Sequence, residues 1–138
     1  MIKEISNFSI KQISDTNSSL FYKGENCHCT LSGLDLEKQF QIDDKYHLLF
    51  LTYDCPFEER LNIYLLDNTF KILDKIAVFN IYTSGILTNV KPISEYIIEF
   101  DFYTGIKHQL HINLDKKNRF SLNKLFKKYL VLKRIENE

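Results

Sequence analysis

The sequence predicts an α+β fold that is predominantly antiparallel β: a meander sheet of five or more strands packed with a C-terminal α-helix. Three observations predict it. Apolar and polar residues alternate with a period of two from Tyr96 to Leu114, a strand apolar on both faces spans Tyr46 to Tyr53, and the apolar residues from Leu122 to Leu130 fall at helical spacing. A lone sheet must bury one face, and the helix is the element available to cover it. At 138 residues, with only 4 Gly and 2 Pro, the chain reads as one domain, 1–138, without a linker or internal repeat.

The first 45 residues show the weakest pattern. Ile2-Lys3-Glu4-Ile5 and Phe8-Ser9-Ile10-Lys11 alternate briefly, and the run Ser14 to Ser19 is rich in turn formers, so one or two strands fit best. Between Leu31 and Ile42 either a strand or a helical turn satisfies the spacing. His47 to Tyr53 is apolar on both faces, as expected of a central strand covered on both sides. Asp54-Cys55-Pro56 ends it, because Pro cannot donate to a ladder. Leu61, Ile63 and Leu65 then form one face of the next strand with Asn62 and Tyr64 opposite. Asp67-Asn68 turns it into Phe70-Lys71-Ile72 as a hairpin. Gly85 to Val90 is a short strand ending at Lys91-Pro92. Tyr96, Ile98, Phe100 and Phe102 lie on one face of the next strand, with Glu95, Glu99 and Asp101 on the other. Thr104-Gly105 turns it into a partner in which Ile106, His108, Leu110, Ile112 and Leu114 alternate with polar residues. Ser121 is placed to cap the helix of Leu122, Leu125, Phe126, Tyr129 and Leu130.

Composition narrows the compartment. The chain is 44% hydrophobic, with 11 Phe and 8 Tyr, which is the make-up of a self-sufficient core. No secretory h-region opens it, and no window approaches the 18 apolar residues of a membrane span. Cys27, Cys29 and Cys55 are odd in number, which favours reduced thiols and a cytoplasmic protein.

Candidate chemistry is sparse. Cys27-His28-Cys29 lacks the second ligand pair that a structural zinc site needs, so no metal or cofactor is expected and the thiols read as small hydrophobes. His108 and His111 are three apart on a strand and project to opposite faces, so they do not form an acid–base pair. No phosphate loop, nucleophile elbow or dinucleotide motif occurs, so no catalytic residue is assigned and the chain is read as a non-enzyme.

Charge is the stronger signal. Residues 1–69 carry 11 Asp/Glu against 6 Lys/Arg, whereas residues 70–138 carry 7 against 12, which sets up two regions of opposite sign. Asp43, Asp44, Asp54, Glu58 and Glu59 flank the Tyr46–Tyr53 strand at both its ends and are interleaved with Tyr53 and Phe57. These seven residues form the candidate partner-binding surface, suited to a cationic protein through charge complementarity and aromatic anchoring. In the last 23 residues, Lys116, Lys117, Arg119, Lys124, Lys127, Lys128, Lys133 and Arg134 form a basic segment able to contact phosphates, the basis of an alternative reading as a nucleic-acid-binding module.

The run from Leu51 through Thr52-Tyr53-Asp54-Cys55-Pro56-Phe57-Glu58-Glu59-Arg60 to Asp67, continuing at Thr83-Ser84-Gly85-Ile86-Leu87, resembles small immunity proteins of bacterial contact-dependent growth inhibition and related polymorphic toxin systems. It covers under a third of the chain. The resemblance implies a protein that binds one cognate toxin C-terminal domain, often a nuclease, and blocks its active site or its access to substrate. It transfers no binding residues and implies no membrane partner.

Overall fold

Twelve strands follow one another along the chain: β1 (Ile2–Glu4), β2 (Phe8–Gln12), β3 (Asn17–Tyr22), β4 (Glu25–Ser32), β5 (Asp35–Ile42), β6 (Tyr46–Cys55), β7 (Glu58–Asp67), β8 (Ile72–Ile81), β9 (Thr88–Ser94), β10 (Ile97–Tyr103), β11 (Ile106–Ile112) and β12 (Leu130–Ile135). The computed structural model describes residues 1–55, 58–81, 87–103, 106–114 and 129–135. The strands form three antiparallel sheets. A central sheet has the order β1-β5-β6-β7-β8, a C-terminal sheet β12-β11-β10-β9, and an N-terminal sheet β2-β3-β4.

The doubly apolar strands dictate the layering. On β6, Leu48 and Phe50 join one core cluster with Phe40, Leu61, Ile63 and Leu65 of the central sheet and Ile98, Phe100, Phe102, Leu110 and Leu130 of the C-terminal sheet. Leu49 and Leu51 point the other way and join Tyr64, Leu66, Phe8, Leu20 and Leu31 under the N-terminal sheet. Side chains alternate across a strand, so a sheet apolar on both sides needs a cover on each. The rings of Phe50 and Phe100 meet edge to face with centroids 5.5 Å apart, and Phe40 reaches Phe50 at 5.9 Å. Burying one such ring stabilises the fold by about 1.5–3 kcal/mol.

Polar side chains tie the layers together. From β5, Gln39 accepts the Phe8 amide proton at 2.8 Å through Oε1 and donates Nε2 to the Phe8 carbonyl at 3.1 Å, standing in for a neighbouring strand. From β7, the Tyr64 hydroxyl accepts from the Ser32 amide at 2.9 Å and Asn62 Nδ2 donates to the Ser32 carbonyl at 3.0 Å. Gly33 is held at φ +137°, and a Cβ there would sit 2.6 Å from Leu51 Cβ, so β4 can turn into β5 against the core only with glycine. At the far side, Asp74 Oδ2 of β8 accepts from the amides of Tyr129 at 2.9 Å and Leu130 at 2.8 Å, docking the start of β12 on the edge of the central sheet.

Several expectations are corrected. The fold is all-β among the described residues, not α+β, and three sheets replace the single meander. The C-terminal helix has no counterpart there: Leu130 opens β12, paired with Ile112 of β11, while Leu122, Leu125 and Phe126 lie outside the described residues. The layer that covers the central sheet is a second sheet on each face, so no helix is needed for that role. The first 45 residues hold five strands, not one or two, and the Leu31–Ile42 stretch divides into the end of β4 and all of β5. β9 runs through Pro92, which an edge strand tolerates because one side of it needs no donor. Tyr96 lies in the turn before β10 and is 36% exposed, whereas Ile98, Phe100 and Phe102 are buried as their alternation requires.

Candidate functional site

The residues that the sequence singles out fall at opposite ends of one strand. Asp43 and Asp44 occupy the β5–β6 turn, whereas Tyr53 and Asp54 end β6 beside Glu58 and Glu59 of β7. Ten strand residues separate the two groups by roughly 30 Å, so they are two surfaces rather than one. Phe57 lies outside the described residues.

At the hairpin end, the β6–β7 register pairs Tyr53 with Arg60, Asp54 with Glu59 and Cys55 with Glu58. The Arg60 guanidinium carbon stands 5.7 Å from the centroid of the Tyr53 ring, which holds that aromatic against its own strand. Three carboxylate residues thus sit on two successive rungs. The β6–β7 pairing that carries them runs for ten rungs.

At the turn end, Asp43 is already engaged. Its carboxylate binds the amino group of Met1 and accepts from Tyr96 Oη at 2.5 Å, linking the central sheet to the β9–β10 turn. These hydrogen bonds, the Met1 one first, hold its carboxyl below the usual range, and the same contact pushes the Tyr96 phenol up. Asp44 remains exposed, with its carbonyl accepting from Asn68 Nδ2 at 3.1 Å. The geometry therefore makes Asp43 a fastener between layers and leaves Asp44 as the outward charge of that turn.

Beyond Tyr96, the outer face of the C-terminal sheet is concave. A hollow of about 610 Å³ is lined by Ser94, Glu95, Tyr96 and Ile97 of the β9–β10 connection, by His111, Ile112 and Asn113, and by Val131 and Lys133 of β12. Its floor crosses three strands in register, Ile97 opposite His111 and His111 opposite Val131. The basic segment of the sequence reading is divided here, since Lys133 lies at the hollow while the adjacent Arg134 is paired in register with the buried His108. Its members from Lys116 to Lys128 lie outside the described residues.

The remaining candidates are structural. His108 is buried and stacks on Phe100, with ring centroids 5.2 Å apart and planes 8° from parallel, while His111 is on the opposite face. Cys27 and Cys29 are free thiols at a bulge where β3–β4 pairing shifts register around His28, whose φ is +55°. Burial raises both thiols, as befits side chains packed against the N-terminal core. No group of three or more His, Cys, Asp or Glu converges on a metal site among the described residues, and no helix there is long and apolar enough to cross a membrane.

His47 is buried in a cluster with Phe8, Tyr22 and Phe70, whose rings lie 5.1, 5.8 and 5.9 Å from its own. Phe70 is held at φ +66°, an unusual backbone for a bulky residue. The turn that imposes it is organised by the Asp67 carboxylate, which accepts from the amides of Thr69 at 2.8 Å and Lys71 at 3.1 Å. Burial lowers the pKa of His47 against the opposing pull of Asn68 and Asp67, and burial followed by Arg134 lowers that of His108. The fold therefore favours the neutral form of both rings, and they take up a proton more readily once unfolded. Their contribution is fully present above the unfolded value near 6.5 and is lost as pH falls below it. Urea titrations should show the midpoint dropping between pH 7.5 and 5.5, with the drop reduced in His47→Phe. An equal drop in that variant would clear His47 of the effect.

Comparison with models of known protein families, with curated proteins and with solved structures finds no match for this chain.

Proposed function

We propose that this chain is a non-catalytic, cytoplasmic recognition protein of the immunity type, which binds a cognate toxin C-terminal domain, a nuclease, and occludes its active site. The observation that carries the reading is the β6–β7 hairpin. Asp54, Glu58 and Glu59 occupy its last two rungs beside an aromatic held in place by Arg60. The base of the same hairpin is fixed between two cores. Three acidic residues at the end of a hairpin whose base lies between two cores suit a partner whose active-site cleft is cationic because it binds phosphates. A pre-formed sheet also meets its partner without an ordering cost, and one face of about 800 Å² is enough for a specific complex. The outward Asp44, at the other end of β6, is too far away to share the hairpin's contacts.

The test is association with the toxin-like C-terminal domain of a large secreted protein encoded beside this chain. The two should co-purify. The triple variant D54K/E58K/E59K should slow association at least tenfold at low salt and flatten its salt dependence, because rim charges act mainly on the on-rate. Unchanged association kinetics in that variant would remove the hairpin from the interface.

A further inference from the structure

We propose that the hollow on the outer face of the C-terminal sheet is a binding site for a small amphipathic carboxylate, its anionic group received by Lys133 and His111 and its apolar body by Ile97 and Val131.

Register brings these residues together. Gln109 pairs with Lys133 and His111 with Val131, so His111 and Lys133 are diagonal neighbours on the same face of β11 and β12. Diagonal Cβ atoms on adjacent strands lie within about 7–8 Å, a span that one carboxylate bridges. The two groups already sense each other: burial lowers the pKa of the His111 imidazole, and the charge of Lys133 lowers it further.

Among the described residues no acid is paired with either group; His111 Nε2 lies 3.4 Å from Oε1 of Gln109, an uncharged neighbour. Among the described residues no carboxylate lies within ion-pair distance of Lys133. Glu99, an acid on that face, is committed to Lys107 at 3.3 Å and accepts from Gln109 at 3.5 Å. Its strand, β10, is separated from β12 by β11, a lateral distance of about 9–10 Å. Glu95 is exposed in the turn before β10 and occupies the rim.

The rest of the wall is of the other kind. Ile97 and Val131 flank His111 in register on the outer face, whereas the next residue, Ile112, points into the core on the other side of the sheet. An ammonium and an imidazole set over aliphatic side chains, in a hollow of about 610 Å³, match the usual composition of small-molecule sites, in which a mostly apolar lining carries a few convergent polar groups. A carboxylate supplies the missing counter-charge, and an apolar body covers the aliphatic floor. A bare inorganic anion satisfies only the first requirement.

Octanoate and 1-octanol share the apolar body and differ in the anionic group. Amide chemical shifts of the whole protein, followed while each is added, should move saturably at Ile97, His111, Val131 and Lys133, with octanoate the tighter ligand. Lys133→Met should weaken octanoate about tenfold, the usual worth of one hydrogen bond to a charged group, and leave 1-octanol unchanged. Lys133 is exposed, so the variant is expected to keep the parent's unfolding temperature. Lys133→Glu, at the same position, should abolish octanoate binding. Octanoate binding no tighter than 1-octanol, equal octanoate affinity in Lys133→Met, or shifts centred elsewhere would each overturn the proposal. The hollow and the β6–β7 hairpin belong to different sheets, so this outcome and the toxin-binding outcome are read separately.

Discussion

Phe50→Ala is expected to cost about 3–5 kcal/mol of unfolding free energy, the range found when a buried aromatic is deleted from a packed core. Phe50 is fully buried in the middle of β6, and its ring reaches Phe40 in its own sheet and Phe100 in the facing one. Removing it opens a cavity in the middle of the contact between the central and C-terminal sheets, and the neighbours are themselves held by paired strands that cannot readily collapse into the space. A domain of this size has only about 5–15 kcal/mol in total, so the variant should melt far below the parent. Urea denaturation measures the loss directly. A loss under 1 kcal/mol would mean that the two sheets are not joined through this ring.

Asp74→Ala should follow at about 2–4 kcal/mol. The parent carboxylate accepts from two successive backbone amides, Tyr129 and Leu130, and hydrogen bonds to a charged acceptor contribute about 1.5–3 kcal/mol each. Without it those amides lose their acceptor at the point where β12 enters the sheet. The effect should also be local. Amide exchange should accelerate across Tyr129–Ile135 more than across β6 and β7, because a strand at a sheet edge opens before the centre does. Uniform acceleration across all strands would argue that Asp74 acts on global stability alone. Because Val131 and Lys133 wall the hollow, the same variant should weaken octanoate binding.

Much of the second half could be read from alternation alone. The two-faced strand at His47–Tyr53, the hairpin that follows it, and the Tyr96–Leu114 pair bury the face their pattern requires, apart from Tyr96, which stays exposed in a turn, and His108 and His111 separate as a period of two demands. The N-terminal strands are hard to see because β2 and β3 are short, and β2 to β4 carry Ser, Thr, Asn or Cys on their rungs, with a bulge at Cys27-His28-Cys29 interrupting the longest of them. β12 escapes its local pattern for a different reason. Leu122, Leu125, Phe126, Tyr129 and Leu130 satisfy a helical stripe, while Val131, Leu132 and Ile135 satisfy a strand equally well, and local spacing cannot choose between them. What chooses is Asp74, 55 residues away in sequence, together with the open edge of β11.

The candidate sites divide along the same line. The acidic and aromatic residues around β6 were visible in the sequence, but not that a ten-residue strand holds them at its two ends, or that Tyr96 and Met1 take up Asp43. The hollow was invisible, although one signal was present: Ile97 is an apolar residue on the face of β10 that otherwise carries Glu99 and Asp101. That signal has meaning only once Val131 and Lys133 are known to be on a neighbouring strand.

By itself, the order of residues determined that the chain is rich in antiparallel strands, that β6 is covered on both sides, and that charge of opposite sign gathers in the two halves. These properties follow from side-chain periodicity and composition, which are local. Only the tertiary structure decided that both covers are sheets, that the chain after Tyr129 extends as a strand, and that Lys133 and His111 line one hollow. Each of those outcomes depends on hydrogen-bond partners far away in sequence, and a β-ladder, unlike a helix, satisfies its backbone only through such partners.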